Sequence, residues 1–201
     1  MKKILPFFSY LFHPIFVPVL GTLFYFLLSD YYFTTQQKYL VLLQIGIITI
    51  FIPITFYYLL RSFGKVDSVM VYQLSQRKIP LLLQAILIFL LITKSITAEV
   101  IPELYYYFLG GLISTFMLLI LLFLKIKASI HMVGISTLTV FVIGLSFHRQ
   151  INAIYVIALL IVMNGFVASS RLELQAHTGK ELVFGFFTGL LPQLFLVYFW
   201  L

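Results

Sequence analysis

A polar, titratable stretch between two long apolar runs carries the residues best suited to chemistry. Residues 170–181 read Ser-Arg-Leu-Glu-Leu-Gln-Ala-His-Thr-Gly-Lys-Glu. A helical conformation would put His177 and Glu181 on one face, four residues apart, so that the carboxylate orients the imidazole. Arg171 could then reach the same side, and a guanidinium beside an oriented histidine suits a phosphate group. The alternative is an interfacial loop whose charges only anchor helix ends, and these residues alone do not decide between the two.

The composition excludes a soluble globular protein. The chain has 201 residues, of which 62% are hydrophobic and 9% charged, and its mean hydropathy is +1.11. These values indicate a polytopic membrane protein in a single membrane-embedded domain, residues 1–201. We attribute the net charge of +7 to basic loops at an anionic membrane face and expect no nucleic-acid partner. Because the chain has no cysteine, disulfides and thiolate chemistry are excluded.

Seven apolar segments are each close to the roughly 20 residues that span a bilayer as a helix. They cover about 7–28, 39–60, 80–96, 104–124, 132–147, 151–169 and 182–200. We therefore predict an all-α fold, a polytopic transmembrane bundle of six to seven helices.

Prolines stand within the first two of these segments. His13-Pro14 and Pro18 interrupt the first, which we still expect to be a retained membrane helix. His13 could line the site, but we favour a hydrogen-bonded packing role for it. Pro53 predicts a kink in the second segment. Between the second and third, residues 61–79 are polar, and Met70, Val71 and Leu74 could form the apolar face of a short interfacial helix.

The number of crossings places three polar clusters on one membrane face. Two crossings separate the N-terminus from residues 61–79, two more lead to residues 125–131, and another two lead to residues 170–181. His148 and Arg149 fall in a turn on the opposite face, where we expect them to be solvated.

Ten of the 13 lysines and arginines lie on the face of the three clusters, and three lie on the other. The ten are Lys2, Lys3, Arg61, Lys65, Arg77, Lys78, Lys125, Lys127, Arg171 and Lys180; the three are Lys38, Lys94 and Arg149. The positive-inside rule then predicts a multi-pass protein of the cell's inner (cytoplasmic) membrane, with the clusters and the N-terminus on the cytoplasmic side. Arg77, Lys127 and Arg171 could be present for their role in a site. Without these three, seven lysines and arginines lie on the cluster face and three on the other.

The motifs of these clusters resemble those of the type-2 phosphatidic acid phosphatase (PAP2) superfamily. Ser170, Arg171 and His177 match its third motif, S-R-x5-H-x3-D, with Glu181 at the position of the aspartate. Residues 128–131, Ala-Ser-Ile-His, resemble the second motif, P-S-G-H, in the serine and the histidine.

The superfamily's first motif, K-x6-R-P, is echoed only by Arg77-Lys78-Ile79-Pro80, with Met70 where its lysine would stand. The motif region therefore covers residues 77–181, and the two N-terminal segments lie outside it. The resemblance implies the transmembrane helical bundle of that superfamily.

The resemblance also implies a mechanism for hydrolysing a lipid phosphate. His177 would form a phosphohistidine, Glu181 would hold it, and His131 would protonate the leaving group and then activate water. The phosphoryl oxygens would be bound by arginines, by the serines of two motifs and by a lysine replacing the missing one. Those phosphate-binding candidates are Arg77, Arg171, Ser129 with its backbone N–H, Ser170, and Lys127 or Lys78. No metal or other cofactor is implied.

The departures from the motifs leave a second function open. Glu181 adds a methylene, Ile130 replaces a glycine, and the first motif lacks its lysine. These changes would suit a catalytically inactive relative that binds or transports lipid phosphates. For an active enzyme, the membrane setting favours phosphatidic acid, phosphatidylglycerophosphate or a polyprenyl diphosphate as substrate, with membrane lipids around it.

Overall fold

The computed structural model describes residues 5–29, 33–66 and 73–201, which form helices joined by short connections, with no strand among them. The α-helices in this part of the chain are α1 Leu5–Leu11, α2 Val17–Leu28, α3 Thr35–Gly46, α4 Ile52–Ser62, α5 Lys78–Lys94, α6 Pro102–Phe123, α7 Ile130–His148, α8 Ile154–Glu173 and α9 Gly179–Val197. The predicted all-α fold is therefore confirmed.

Six helical stretches in the described residues are long and apolar enough to cross a membrane. They are Thr35–Ser62, Ser75–Lys94, Pro102–Phe123, Ile130–His148, Ile154–Glu173 and Gly179–Val197. The chain is thus a helical membrane protein with several spans. These six correspond to the second to seventh apolar segments of the sequence.

The first apolar segment is not one helix, contrary to our expectation. It is split into α1 and α2, with His13 and Pro14 in the break. Proline has no N–H to donate, and it also disfavours helical backbone at the residue before it, so the helix cannot continue through this pair. Pro18 causes no break because it stands in the first turn of α2, where the missing N–H costs nothing.

The distortion predicted at Pro53 appears as a π-helical turn. Residues Ile47–Phe51 form this turn between α3 and α4, and the N–H of Ile52 donates to the carbonyl of Ile47. Such a turn widens the helix just before a proline. The predicted interfacial helix involves Met70 and Val71, which lie outside the described residues.

Helix α7 runs through the core and packs closely on α9. Its residues Ile135, Leu138 and Phe141 are fully buried. A Cβ added to Gly185 of α9 would lie 2.4 Å from the carbonyl oxygen of Ser129, and one on Gly189 would lie 2.3 Å from that of Val133. Spaced four residues apart, these glycines let the two backbones approach, as small residues do between membrane helices.

Two tight turns reverse the chain at one end of the bundle. Helices α6 and α8 both finish with a residue in the left-handed conformation, Lys125 (φ 59°) and Gln175 (φ 51°). In each turn the following N–H donates to a carbonyl five residues back, and for α8 this is Ala176 to Arg171 at 3.1 Å. The Lys127 ammonium donates to the Ala176 carbonyl at 2.8 Å, so the two connections lie side by side.

Candidate functional site

His177 and Glu181 form a pair at the start of α9. The carboxylate accepts a hydrogen bond from Nδ1 of His177 at 2.7 Å, which confirms the predicted pairing. The helical conformation behind that prediction is wrong, because His177 lies in the connection before the helix. A capping box brings the groups together instead: Thr178 caps α9, and Glu181 turns back to accept the Thr178 N–H.

The surroundings of His177 keep its ring neutral. The side chain is buried, and this burial lowers the pKa of His177 to about 4, with nearby Arg77, Arg171 and Lys127 acting in the same direction. The hydrogen bond that His177 donates to Glu181 acts in the opposite direction. Since the Nδ1–H group donates a hydrogen bond to the carboxylate, the neutral ring has its lone pair on Nε2 at neutral pH. The ring is therefore in the state that a nucleophile needs.

His131 is held from an unexpected side. It is the second residue of α7, it is buried, and its Nε2 lies 3.1 Å from the backbone carbonyl of Ser9. A carbonyl only accepts, so Nε2 carries the proton and Nδ1 is the basic nitrogen. The hydroxyl of Ser9 also lies 2.6 Å from that of Ser170, in a fully buried contact. Helix α1 thus braces both His131 and Ser170.

Arg77 and Arg171 are buried at the same end of the bundle. Arg77 ends a short 3₁₀ turn that leads into α5, and Arg171 stands in the last turn of α8. Their exposed fractions are 5% and 1%, low for guanidinium groups. Arg77 donates from Nη1 to the Ala128 carbonyl at 3.0 Å, which ties it to the connection that carries His131.

Of the other predicted phosphate ligands, one lysine lies at the site, the second lies outside it, and the Ser129 N–H is already hydrogen-bonded. Lys127 lies 3.5 Å from the Glu181 carboxylate and so belongs to the site. Lys78 is exposed, with its ammonium 5.3 Å above the ring of Phe123, and does not line the cavity described next. The backbone N–H of Ser129 donates to the Glu181 carbonyl at 3.0 Å, so the predicted donor to phosphate is already used.

A cavity of about 290 Å³ opens between these groups and the interior of the bundle. Its arginines and histidines are His13, Arg77, His131, Arg171 and His177. The rest of its lining is mostly apolar and comes from α2, α4, α5, α6 and α7, including Leu60, Leu81, Ile88, Phe108 and Leu118. This shape suits a ligand with a charged head and an apolar chain.

Sequence reasoning missed the contribution of the first apolar segment. Ser9 contacts His131 and Ser170, and His13 lines the cavity with its ring centroid 5.2 Å from that of His131. The sequence allows His13 to line the site but favours a packing role, and the cavity lining supports the first of these alternatives. The available signal was the His13-Pro14 pair, since a proline break in an apolar helix frees polar backbone and side-chain groups inside the bundle.

The prediction that His148 and Arg149 are solvated is also wrong. Both contact Glu103, whose exposed fraction is 1%, at the end of the bundle opposite the cavity.

Within the described part of the chain, no group of three or more histidine, cysteine, aspartate or glutamate side chains is placed to hold a metal ion. In comparisons with protein-family models, curated proteins and solved structures, nothing matches this chain.

Proposed function

We propose that this protein is an integral membrane lipid phosphatase that works through a phosphohistidine intermediate. The observation that carries the proposal is the convergence of two histidines and two arginines on one cavity with an apolar interior. The arginines suit the phosphoryl oxygens, the apolar walls suit a lipid chain, and the Glu181-bound His177 suits nucleophilic attack. The motif resemblance assigns the same roles to the same residues.

In the first step, Nε2 of His177 attacks phosphorus while the bond to the lipid oxygen breaks. The electron pair of that bond leaves with the oxygen, which takes a proton from His131, whose doubly protonated form the bound phosphate anion favours. Nδ1 is the nitrogen that gives the proton, because Nε2–H stays on the Ser9 carbonyl. Glu181 stabilises the positive charge on the phosphorylated imidazole, and Arg77 and Arg171 offset the charge on the equatorial oxygens.

In the second step, water hydrolyses the phosphohistidine. Nδ1 of His131 takes a proton from the water as its oxygen bonds to phosphorus, and the electrons of the N–P bond return to Nε2 of His177. Inorganic phosphate leaves, and His131 is again doubly protonated for the next cycle. The sum of the two steps is the hydrolysis of one phosphoester or phosphoanhydride bond.

The substrate we propose is a phosphomonoester or diphosphate of a lipid, such as phosphatidic acid, phosphatidylglycerophosphate or a polyprenyl diphosphate. The support is the position of the site, at the end of the spanning helices with a cavity that continues between them. By the distribution of lysine and arginine, we place this end at the cytoplasmic face of the inner membrane.

A second candidate is a catalytically inactive protein that binds or transports lipid phosphates. The observation that favours it is the Ser129 N–H, which donates to Glu181 rather than remaining available to a phosphoryl oxygen. In this case the arginines would bind the phosphate, and no N–P bond would form.

Phosphate release from a panel of lipid phosphates, measured with the purified protein in detergent, distinguishes the two. We expect release that is inhibited by vanadate and abolished in His177→Ala. A His148→Ala variant is the matched control, because it removes a histidine at the other end of the bundle, and it should retain turnover. Binding of lipid phosphates without any release would contradict the phosphatase and support the second candidate.

A further inference from the structure

We propose that His13 binds the substrate phosphate, donating a hydrogen bond from Nε2 to a phosphoryl oxygen. The inference deepens the function proposed above, since it adds a binding residue to the same site. His13 belongs to the first apolar segment, which no motif covers.

The position of His13 follows from the break between α1 and α2. Pro14 prevents a continuous helix, so His13 leaves the regular backbone and its side chain reaches the cavity wall. Its ring stands nearly perpendicular to that of His131, at 87°, with the centroids 5.2 Å apart. The two imidazoles therefore border the same small volume, together with Arg171 and His177.

The local hydrogen bond determines which nitrogen of His13 can act. Nδ1 accepts the N–H of Ile15 at 3.3 Å, two residues further along the chain. An N–H can only donate, so Nδ1 is unprotonated and a neutral ring carries its proton on Nε2. His13 is consequently a hydrogen-bond donor in its neutral form.

The charges nearby make a neutral donor more suitable than another cation. Burial of the ring lowers the pKa of His13 to about 4, and the positive charge of nearby Arg171 acts in the same direction. A neutral N–H in a water-poor cavity still forms a strong hydrogen bond to an ionised phosphate, because the acceptor is charged. His13 can thus contribute to phosphate binding without adding to the repulsion among the arginines.

The competing explanation is that His13 only stabilises the turn through Nδ1. Two substitutions separate the roles. In His13→Asn, the side-chain oxygen can still accept the Ile15 N–H, as asparagine does in turns, but the Nε2 donor is lost. In His13→Gln, the longer amide can place an N–H near the position of Nε2. A structural role predicts that Asn is tolerated better than Gln, and a binding role predicts the reverse.

Calorimetric titration of the full-length protein in detergent with dodecylphosphonate tests the inference. This probe has an anionic head and an apolar chain, and its P–C bond cannot be hydrolysed, so binding is measured whether or not the protein is a phosphatase. We expect His13→Asn to weaken binding about tenfold or more, the effect of losing one hydrogen bond to a charged group. His13→Gln should recover part of the affinity, and the control His148→Asn should stay within about twofold of the wild type.

Three results would overturn the assignment: wild-type affinity in His13→Asn, equal weakening in His13→Asn and His148→Asn, or no binding of dodecylphosphonate to the wild type. Phosphate release by the same preparations keeps the two proposals apart. Turnover with an unchanged affinity in His13→Asn would refute the role of His13 and leave the phosphatase standing. Weakened binding in His13→Asn with no turnover in the wild type would support the role of His13 and refute the phosphatase.

Discussion

The two ends of the bundle bury charge in different ways. At the end opposite the cavity, Glu103 is buried and accepts a hydrogen bond from Arg149, with His148 at 3.5 Å. At the cavity end, Arg77 and Arg171 lie near each other, and both act electrostatically on His177. One end closes a buried carboxylate against its cations, whereas the other places two arginines along an open cavity, with the Glu181 carboxylate beside it.

This difference separates a structural ion pair from a binding site. A buried pair offsets its own desolvation and closes the space around it, as Glu103 and Arg149 do. Like charges buried together repel one another, and an anion that enters between them relieves that cost. Arg77 and Arg171 both line the cavity, where an anionic group would meet their positive charge.

The largest expected effects come from removing one arginine at each end of the bundle, which should lower turnover at the cavity end and stability at the opposite end. Arg171→Met should lower phosphate release about 10²- to 10³-fold, because a preorganised donor to the transition state is lost. Arg149→Met should leave turnover per folded molecule unchanged but should lower stability by about 3 kcal/mol, because Glu103 stays buried without this partner. Phosphate release and the Tm of both variants in detergent measure the two effects.

A double variant serves as the control for the far end. Adding Glu103→Leu to Arg149→Met removes the uncompensated carboxylate, so much of the lost Tm should return. The assignment of a structural role to the Arg149 end and a binding role to the Arg171 end would be contradicted if Arg149→Met lowered turnover as much as Arg171→Met does. It would also fail if the double variant were no more stable than the single one.

The sequence predicted those parts of the site that depend on short spacings. His177 and Glu181 are four residues apart, and their contact forms within one connection and one capping box. Even there the predicted helix was wrong, because the chain turns at Gln175 in a left-handed conformation that glycine usually adopts. The crossing count predicted only that Arg77 and the second cluster share one membrane face. Their contact, from Arg77 to the Ala128 carbonyl, is seen only in the structure.

The parts that could not be predicted depend on packing between distant segments. Ser9 and His131 are 122 residues apart, and Arg149 and Glu103 are 46 residues apart. Neither pair leaves a pattern in the sequence, because each contact is set by how whole helices pack. His13 likewise looked like an isolated polar residue in an apolar run, and only the break at Pro14 brings it to the cavity.

A shorter carboxylate at position 181 tests whether the length of Glu181 sets the position of His177. In Glu181→Asp the carboxylate retreats by about one ångström, so it should no longer serve both the Thr178 N–H and His177. We expect kcat to fall about 10- to 100-fold. Glu181→Gln keeps the length but loses the charge that stabilises the phosphorylated ring, and it should be the worse of the two. An Asp variant more active than the wild type would show that the capping box does not set this geometry.

The smallest expected effect concerns Lys127, whose charge helps to hold the pKa of His177 at about 4. The nucleophile must be unprotonated, so activity is lost as pH falls through that pKa. In Lys127→Met a nearby positive charge is gone and the Glu181 carboxylate is no longer shared, and both changes favour the imidazolium. The acid limb of the pH–rate profile should therefore move to higher pH. Lys78→Met is the matched control, because the Lys78 ammonium lies over the ring of Phe123, whereas that of Lys127 lies 3.5 Å from the Glu181 carboxylate. A limb that moved equally in both variants would mean that net charge, rather than the position of Lys127, controls the nucleophile.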